Sequence, residues 1–530
     1  MTLTSLPSSL ELHHIRSVPE TEPSEGYMTS SDVRRLDLNS EYLGVSTPQL
    51  MENAGRAVAV EVSSRFKQGS KILILAGTGR NGGDGMVAAR HLASMGYDVG
   101  LYLVGSELSI HDESVSLNWR ILKEMSSSVK IQVFSDSSDL QPLDADVVID
   151  SMLGVGLRGS LRQPTLEAVR TLNRFSGFVV SVDVPTGVDS DNGEVQGEAV
   201  RAQLTVTFHA PKAGFAKAKE YAGEVKVATI GIPPEAELYA GPGDVDVILK
   251  SRPPQSKKGD FGRVVVIGGS ETYSGAPAFV ALAALRAGAD LAYVAAPTRT
   301  AEALSSMSPN LITVKLSGEH FNPANVAQLK PLLERATAVA VGPGMGMSKE
   351  SFDAVEKLIR TLEQLRKPTL IDADALKALG SSKRELSFST VLTPHAGEFE
   401  ALSGKKVSAE LDQRTAQVKN LSREFGAVIL LKGRVDIVSD GSRVKLNWTG
   451  NPGMTTGGTG DVLSGVAASL MAQGSKPFEA AVAGAFINGA AGDFAYCEKG
   501  FHLLATDLID QIPRVMNDPM SHRDAKYLGS

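Results

Sequence analysis

The stretch KILILAGTGRNGGDGMVAARHLASMG, from Lys71 to Gly96, decides the fold class of the first half of the chain. Its apolar run KILILA is typical of a strand buried on both faces of a parallel sheet, and the residues after the glycine-rich turn have helical spacing. The same alternation continues through DVGLYLV, KIQVF, ADVVIDS, GFVVSVDV and QLTVTFHA, at intervals long enough for crossover helices. The pattern predicts an α/β domain with a mostly parallel sheet.

A Pro- and Gly-rich segment over residues 232–262 interrupts the alternation, and we predict the domain boundary there. A second α/β series follows with RVVVIGGS, LAYVAAP, LITVKL, TAVAVGPG, PTLIDADAL, STVLTPH, AVILLKG, VDIVSDG and VKLNW. The halves share no visible repeat period, which indicates a fusion rather than a duplication. The predicted divisions are a flexible tail at 1–27, domains at 28–235 and 259–515, a linker at 236–258 and a tail at 516–530.

Composition limits the classes of function. A chain of 530 residues exceeds the size of one hydrophobic core, and its net charge of −7 argues against nucleic acid or an anionic membrane as the main partner. The single cysteine, Cys497, permits no intrachain disulfide and favours a reducing compartment. Because no membrane span or secretory leader is evident, we expect a cytoplasmic protein that acts on small molecules and binds neither nucleic acid nor membranes. We also expect a homo-oligomer.

The stretch NPGMTTGGTGDVLSG (451–465) predicts a phosphate site, because helical spacing begins only after Asp461. Unpaired amide groups and the helix dipole favour an anion there, and glycine permits close approach. A carboxylate beside a phosphate needs a task, and we assign Asp461 the acceptance of a proton from an attacking hydroxyl. An aspartate that only favours the helix N-terminus is the simpler account of an isolated Gly-Asp. Here VGPGMG (341–346), DADAL (372–376), TPHAGEFE (393–400) and LLKGRVD (430–436) also follow predicted strands, where open α/β sheets bind ligands.

The turn GTGRNGGDG after the first predicted strand matches the dinucleotide fingerprint only by spacing, since no acidic residue closes the second strand. It carries Asn81 and Asp84 instead, and Asp150, Asp183 and Thr186 end later strands of the same predicted sheet. Oxygen ligands without clustered Cys or His suit a hard cation rather than zinc. Asn-Gly and Asp-Gly pairs are also common turn formers, which is the simpler account for any one of them.

Over Gly259 to Ile512 the motifs PGMTTGGTGDVLSG, VGPGMG, DADAL, TPHAGEFE and LLKG resemble the ribokinase-like dehydratase domain of NAD(P)H-hydrate repair enzymes. The resemblance implies a ribokinase-like α/β domain that phosphorylates the hydroxyl of the S hydrate of NADH or NADPH and then loses phosphate to restore the ring. It implies ADP with magnesium, or ATP as in eukaryotic members; the fusion and the missing targeting signal favour a prokaryotic enzyme and ADP. Asn488 stands where the family usually has histidine. The implied substrate contacts are Ala276, Gly344, His395 and Asp461, and the implied nucleotide contacts are Lys432, Gly433, Arg434, Val435, Asp436, Gly457, Gly458, Thr459 and Gly460.

Over Ser30 to Pro233 the motifs LMENAG, NGGDG, DSMLGVGLRG and DVPTGVDSDNG resemble the epimerase domain usually fused to that dehydratase. The resemblance implies a Rossmann-like three-layer α/β/α domain that interconverts the R and S hydrates, with potassium held by Asn81, Asp150 and Thr186. Asp183 is our candidate for proton transfer at the carbon that bears the hydroxyl, and Arg158 for a phosphate clamp. The implied hydrate contacts are Arg80, Asn81, Gly82, Gly83, Asp84, Gly154, Val155, Gly156, Leu157, Arg158, Gly159, Ser160 and Asp183.

Two alternatives stay open at this point. Small-molecule kinases share the ribokinase-like fold and its base, so the fold alone does not exclude a kinase fused to a nucleotide-binding module. The N-terminal domain could instead serve as a binding or scaffold module, against which the intact Asn81, Asp84, Asp150 and Asp183 argue.

Overall fold

The structure is a computed structural model that describes residues 26–136, 143–157, 159–382 and 384–525. The chain divides into two compact units, residues 1–233 and 234–530. The described part of the chain contains no helix with the length and apolar character needed to cross a membrane.

Among the described residues, the first unit contains one seven-stranded parallel sheet. Its strands are β1 (Lys71–Ala76), β2 (Asp98–Val104), β3 (Val129–Phe134), β4 (Val147–Ser151), β5 (Phe178–Val182), β6 (Leu204–Phe208) and β7 (Glu224–Ala228). The spatial order is β3-β2-β1-β4-β5-β6-β7. The six predicted strands are confirmed. The sequence missed β7 because its half-buried sequence, EVKVA, has no continuous apolar run.

Helices cover both faces of this sheet. They are α1 (Ser30–Tyr42), α2 (Thr47–Ser63), α3 (Arg80–Ser94), α4 (Glu113–Glu124), α5 (Thr165–Asn173) and α6 (Lys219–Ala222). Ile72 and Ile74 of β1 point into one apolar core with α2, α3 and α4, whereas Leu73 and Leu75 point into a second core with α5. The alternation along one strand therefore builds the predicted three-layer α/β/α unit.

Among the described residues, the second unit contains one nine-stranded sheet. Its strands are β8 (Arg263–Ile267), β9 (Leu291–Pro297), β10 (Ile312–Leu316), β11 (Ala338–Val341), β12 (Thr369–Ile371), β13 (Thr390–Leu392), β14 (Val428–Leu431), β15 (Asp436–Ser439) and β16 (Val444–Asn447). The order is β10-β9-β8-β11-β12-β13-β14-β15-β16, parallel except for the last two pairs. All nine predicted strands are confirmed.

The helices of the second unit also lie in two layers. They are α7 (Pro234–Leu238), α8 (Pro242–Asp246), α9 (Gly275–Arg286), α10 (Thr298–Met307), α11 (Pro323–Arg335), α12 (Lys349–Gln364), α13 (Asp374–Ser382), α14 (Ala396–Ser403), α15 (Leu411–Phe425), α16 (Thr459–Ala472), α17 (Pro477–Lys499) and α18 (Ala505–Asn517). Helices α11 to α15 share one apolar core with the sheet. Helices α9, α16 and α17 pack on the other face.

Two segments differ from the predicted divisions. Residues 236–258 are not a free linker, because α8 is anchored to the second unit by the buried ion pair of Asp244 Oδ1 with Lys445 Nζ at 3.0 Å. Pro234 begins α7 and Pro242 begins α8, and both helices are too short to show periodicity. The described part of the predicted C-terminal tail forms a 3-10 helix, Pro519–Asp524, with His522 buried. Of the predicted N-terminal tail, residues 1–25 lie outside the described residues.

Candidate active sites

The glycine-rich turn of the second unit leads directly into α16, as predicted. Gly458 is the N-cap residue with φ of 98°, and a Cβ there would lie 2.7 Å from the ring of Phe279, so both backbone and space require glycine. Gly457 is different, because a Cβ there would meet no atom within 4 Å. The open space therefore lies beside the first turn of α16, where free amides and the helix dipole attract anions.

Charged side chains converge next to this turn. Lys432 Nζ lies 2.8 Å from Asp372 Oδ1 and 3.9 Å from Glu398 Oε2. A Cβ on Gly460 would lie 3.5 Å from Lys432 Nζ, which places the lysine against the start of α16. Asp372 Oδ2 also accepts a hydrogen bond from Ser464 Oγ at 2.7 Å. The motifs DADAL and TPHAGEFE contain Asp372 and Glu398, but the sequence assigned neither carboxylate a role.

The cluster tunes its titratable groups. Burial raises the pKa of Asp461 to about 7, with the Asp372 and Glu398 carboxylates acting in the same direction and Lys432 opposing them. Burial works against the charge of Lys432, but the Asp372 and Glu398 carboxylates raise the pKa of that lysine overall. Asp461 is therefore poised to exchange a proton near neutral pH beside a cation that stays charged.

The structure brings two of the predicted substrate contacts, Ala276 and Gly344, together. Ala276 Cβ would lie 3.3 Å from a Cβ on Gly344, whose φ is 63°. His395 is the N-cap of α14: its Nδ1 accepts from Gly397 N at 3.0 Å, and Glu398 Oε2 accepts from His395 N at 2.9 Å. His395 thus has a capping role and stands beside the Lys432 cluster, with its ring largely exposed.

The predicted nucleotide segment, residues 432–436, forms the turn between β14 and β15. Asp436 is tied inside this turn, because its Oδ1 accepts from Gly433 N at 2.9 Å and its Oδ2 accepts from Asn447 Nδ2 at 3.0 Å. Burial raises the pKa of Asp436 to about 6. The Val435 side chain lies in the core, so only its backbone is available to a ligand, whereas Arg434 is exposed.

In the first unit, the three predicted cation ligands lie at the first turn of α3 (Asn81), near the end of β4 (Asp150) and in the loop after β5 (Thr186). Asp150 Oδ1 accepts from Thr186 Oγ1 at 2.6 Å, and Leu153 N donates to the same hydroxyl oxygen at 3.0 Å. A Cβ on the next residue, Gly154, would lie 3.2 Å from Asn81 Oδ1. Asn81 has both side-chain polar atoms buried without a hydrogen-bond partner. An orphaned carbonyl oxygen next to a buried carboxylate and a hydroxyl suits a hard cation such as potassium.

Asp183 forms an ion pair with a buried lysine, Lys212, which the sequence analysis did not predict. Its Oδ1 lies 2.7 Å from Lys212 Nζ and accepts from Thr207 Oγ1 at 3.1 Å and from Phe208 N at 3.2 Å. Lys212 is only 1% exposed, and its Nζ also donates to Phe208 O at 3.1 Å. Asp183 itself has φ of 61°, a rare value for a residue with a Cβ. The available signal was a lysine in the otherwise apolar HAPKAGFA after a strand.

Further carboxyl groups surround Asp183. Burial raises the pKa of Asp84 well above its usual range, and the charges of Asp183 and Asp37 add to this effect. Burial also raises the pKa of Asp37 to about 6. Arg80 Nε donates to Asp112 Oδ2 at 2.9 Å, and Arg80 Nη1 lies 3.8 Å from Asp37 Oδ2. Predicted residues Arg80, Asp84 and Asp183 therefore share one electrostatic environment, to which Asp37 is an unpredicted addition.

The remaining predicted epimerase contacts lie in the turn that opens α3 and in the loop after β4. Gly82 is packed so tightly in that turn that a Cβ would lie 1.9 Å from Gly77 O, and a Cβ on Gly83 would lie 2.7 Å from Met51 Sδ. Val155 and Leu157 pack their side chains against apolar clusters. Arg158 lies outside the described residues, whereas three loop residues have partly or fully exposed positions: Gly156, Gly159 and Ser160.

Each half of the chain matches a known protein family. The family model described as NAD(P)H-hydrate dehydratase matches residues 264–514, and the one described as YjeF-related protein N-terminus matches residues 47–214. A protein of Pyrobaculum aerophilum named bifunctional NAD(P)H-hydrate repair enzyme Nnr is 47% identical over 496 residues, which cover 92% of this chain and 98% of that protein. This chain belongs to the family of bifunctional NAD(P)H-hydrate repair enzymes.

A second relative supports the same family. The repair enzyme of the same name from Hyperthermus butylicus is 44% identical over 502 residues, or 93% of each chain. A solved structure of a hypothetical protein from Streptococcus mutans is 28% identical and covers 54% of this chain and 100% of its own, with a TM-score of 0.48. In this repair enzyme the first unit is the epimerase domain and the second unit is the ribokinase-like dehydratase domain.

Proposed function

We propose that Asp461 is the base of the dehydratase. With its pKa raised to about 7, the carboxylate can take the proton of the ring hydroxyl while the hydroxyl oxygen attacks the terminal phosphorus of the donor. The bond from that phosphorus to the leaving nucleotide oxygen breaks as the new one forms. Inorganic phosphate then leaves the ring carbon and the neighbouring carbon gives up a proton, which restores the double bond.

The turn Gly457–Gly460 and Lys432 would hold the transferred group. The first-turn amides of α16 supply donors where negative charge develops, and Lys432 supplies a cation against Gly460. We infer ADP as the donor, because the fusion of the two domains in one chain favours a prokaryotic enzyme. Magnesium prefers oxygen ligands and would be held by Asp372 and Glu398, where it would offset the charge of the phosphates.

For the epimerase we propose that Asp183 and Asp84 act as a carboxylate and carboxylic acid pair. Water adds to an enamine at the carbon next to nitrogen, so the hydroxyl can leave as water when an acid protonates it. Asp84, whose pKa burial raises well above its usual range, is our candidate for that acid, and Asp183 can take a proton from water that returns on the opposite face. Potassium at Asn81, Asp150 and Thr186 would supply positive charge that orients the hydrate.

One experiment tests both proposed sites. The chain is incubated with mixed R and S hydrates and ADP or ATP, and the restored dihydronicotinamide is followed by absorbance. We expect complete conversion by the wild type, arrest near the S fraction by Asp183→Asn, and no conversion by Asp461→Asn. No conversion by the wild type with either nucleotide would overturn the proposal, and a stable phosphorylated product would favour a kinase.

The potassium site has its own test. We expect the melting temperature of the first unit to rise in KCl relative to choline chloride at equal ionic strength, because an ion that binds only the folded state stabilises it. Thr186→Val, which keeps the shape but removes the hydroxyl, should abolish this rise. An equal rise in both proteins would exclude Thr186 as a ligand.

A further inference from the structure

The C-terminal segment of the chain reaches into the interior of the dehydratase unit. His522, in the 3-10 helix Pro519–Asp524, is 9% exposed, and its Nε2 donates to Asp493 Oδ2 at 2.9 Å. Its ring stands edge-on to Phe486 and Phe494, with ring centroids 5.6 and 6.0 Å away. A segment that follows α18 in sequence therefore places a polar ring against the middle of α17.

Asp493, the partner of His522, also accepts hydrogen bonds from the loop that precedes α16. Its Oδ2 also accepts from Gly450 N at 2.9 Å, and its Oδ1 accepts from Asn451 Nδ2 at 2.9 Å. Asn451 in turn accepts from Gly453 N through Oδ1 at 3.0 Å, which caps the short helix Pro452–Thr455. Both oxygens of one buried carboxylate thus fix the start of the glycine-rich stretch.

The same loop is connected to the first residue of α16. Thr459 Oγ1 lies within hydrogen-bond distance of Met454 O at 2.8 Å and of Thr456 O at 3.1 Å. Met454 itself is packed on α17, where a Cβ at Gly492 would lie 2.2 Å from its Sδ. The position of the turn Gly457–Gly460 is therefore set from the α17 side.

We propose that His522 is a positioning residue for the dehydratase: through Asp493 it fixes the loop Gly450–Gly458 and thereby the anion-binding turn and Asp461. It does not touch substrate. The inference rests on the proposed role of that turn in holding the transferred phosphoryl group. Donors aimed at developing charge must be held in place before the reaction, so a loosened loop slows the chemical step more than it weakens binding of the hydrate.

The kinetic test uses the full chain with three variants. His522→Ala removes the donor, His522→Gln can restore it through its Nε2, and Arg523→Ala changes the exposed neighbour as a matched control. We expect His522→Ala to lower dehydratase kcat on the order of tenfold or more, with little change in KM for the hydrate. His522→Gln should recover most of the loss, and Arg523→Ala should match the wild type. Epimerase activity of the same chains serves as an internal reference and should not change.

A second measurement separates positioning from general destabilisation. Hydrogen exchange of the Gly450 and Gly453 amides should accelerate in His522→Ala, while amides in the β8–β11 region keep wild-type protection. If His522→Ala only lowers the melting temperature and the folded protein keeps wild-type kcat and loop protection, the inference fails. A wild type without dehydratase activity would instead contradict the proposed function, so the two failures are distinguishable.

Discussion

At the scale of single residues, each site contains a lysine that forms an ion pair with an aspartate. Lys432 contacts Asp372 and lies beside Asp461, and Lys212 contacts Asp183. The two lysines differ in environment, because Lys432 borders the open turn of α16 whereas Lys212 is buried behind the carboxylate it holds. Lys432 is therefore placed to meet a phosphate, and Lys212 to position Asp183.

Asp461→Asn should lower dehydratase activity and raise the stability of the second unit. We expect dehydratase kcat to fall about 10²- to 10⁴-fold, the usual contribution of a general base, while the epimerase is unaffected. In the wild type, the rate should rise with pH through about 7, because the base must lose its proton.

The stability of the same variant follows from the shifted pKa. The folded state holds the Asp461 proton up to about pH 7, whereas the unfolded chain releases it near the ordinary value of 3.8. Raising the pH from 3.8 to about 7 therefore lowers the free energy of unfolding of the wild type. Asparagine does not titrate, so the variant keeps its stability over this range. Its melting temperature should exceed that of the wild type at pH 8, with a smaller gap at pH 5. A constant gap would argue against the raised pKa.

Lys212→Met should abolish the epimerase and destabilise its domain. Removing one partner of a buried ion pair costs about 3–5 kcal/mol, because the Asp183 carboxylate keeps no compensating charge. We expect urea unfolding of the first unit to shift to lower concentration while dehydratase kcat stays unchanged. The double variant Lys212→Met with Asp183→Asn should regain stability but not epimerase activity. Full epimerase activity in Lys212→Met would show that the lysine has no part in positioning.

The candidate catalytic carboxylates are easier to predict from the sequence than the charged residues that surround them. Asp183 and Asp461 stand in the glycine-containing motifs DVPTGVDSDNG and GGTGDVLSG, so their local pattern shows them. Lys212 and Asp37 become functional candidates only because the fold of β6 and α1 places them near Asp183. A local sequence pattern cannot predict a contact between such distant segments. The raised pKa values likewise come from burial, which is a property of the folded chain.

At the scale of elements, the turn that leads into α16 contains two neighbouring glycines, Gly457 and Gly458, whose surroundings differ. Gly458→Ala should destabilise the second unit, since its φ of 98° and the Phe279 ring 2.7 Å from a Cβ both oppose a side chain. Gly457→Ala should keep the melting temperature, because a Cβ there meets no atom within 4 Å.

The kinetic readout distinguishes these two variants further. A methyl group at residue 457 projects into the space where the phosphate is proposed to lie, so we expect a raised KM for the nucleotide. Unchanged nucleotide KM in Gly457→Ala would move the phosphate away from this turn.

The sequence predicted most clearly the elements with long apolar runs. The central parallel strands β1, β8 and β11 were evident, since each forms a continuous hydrophobic segment. Strand β7 and helices α7 and α8 were missed, because a five-residue element shows less than two turns of helical periodicity or only two pairs of alternation.

At the scale of the whole molecule, the boundary between the units makes a prediction about fragments. A fragment of residues 234–530 keeps α8 and its Asp244–Lys445 pair, whereas a fragment of residues 259–530 loses that pair and the packing of α8 on α17. We expect the shorter fragment to unfold at lower urea concentration, because it buries less apolar surface. Equal stability would show that the segment before residue 259 contributes nothing to the dehydratase unit.

The packing of α16 on α9 has a consequence for synthesis. The two helices touch so closely that a Cβ at Gly465 would lie 2.2 Å from Val280 O, yet they belong to opposite ends of the second unit's sequence. Contacts between distant segments form late, because the chain between them must first be complete. On the ribosome the epimerase domain can fold while most of the dehydratase is still being translated. A nascent chain stalled before α16 would therefore carry an isomerase alone, with α9 left uncovered for chaperones to bind.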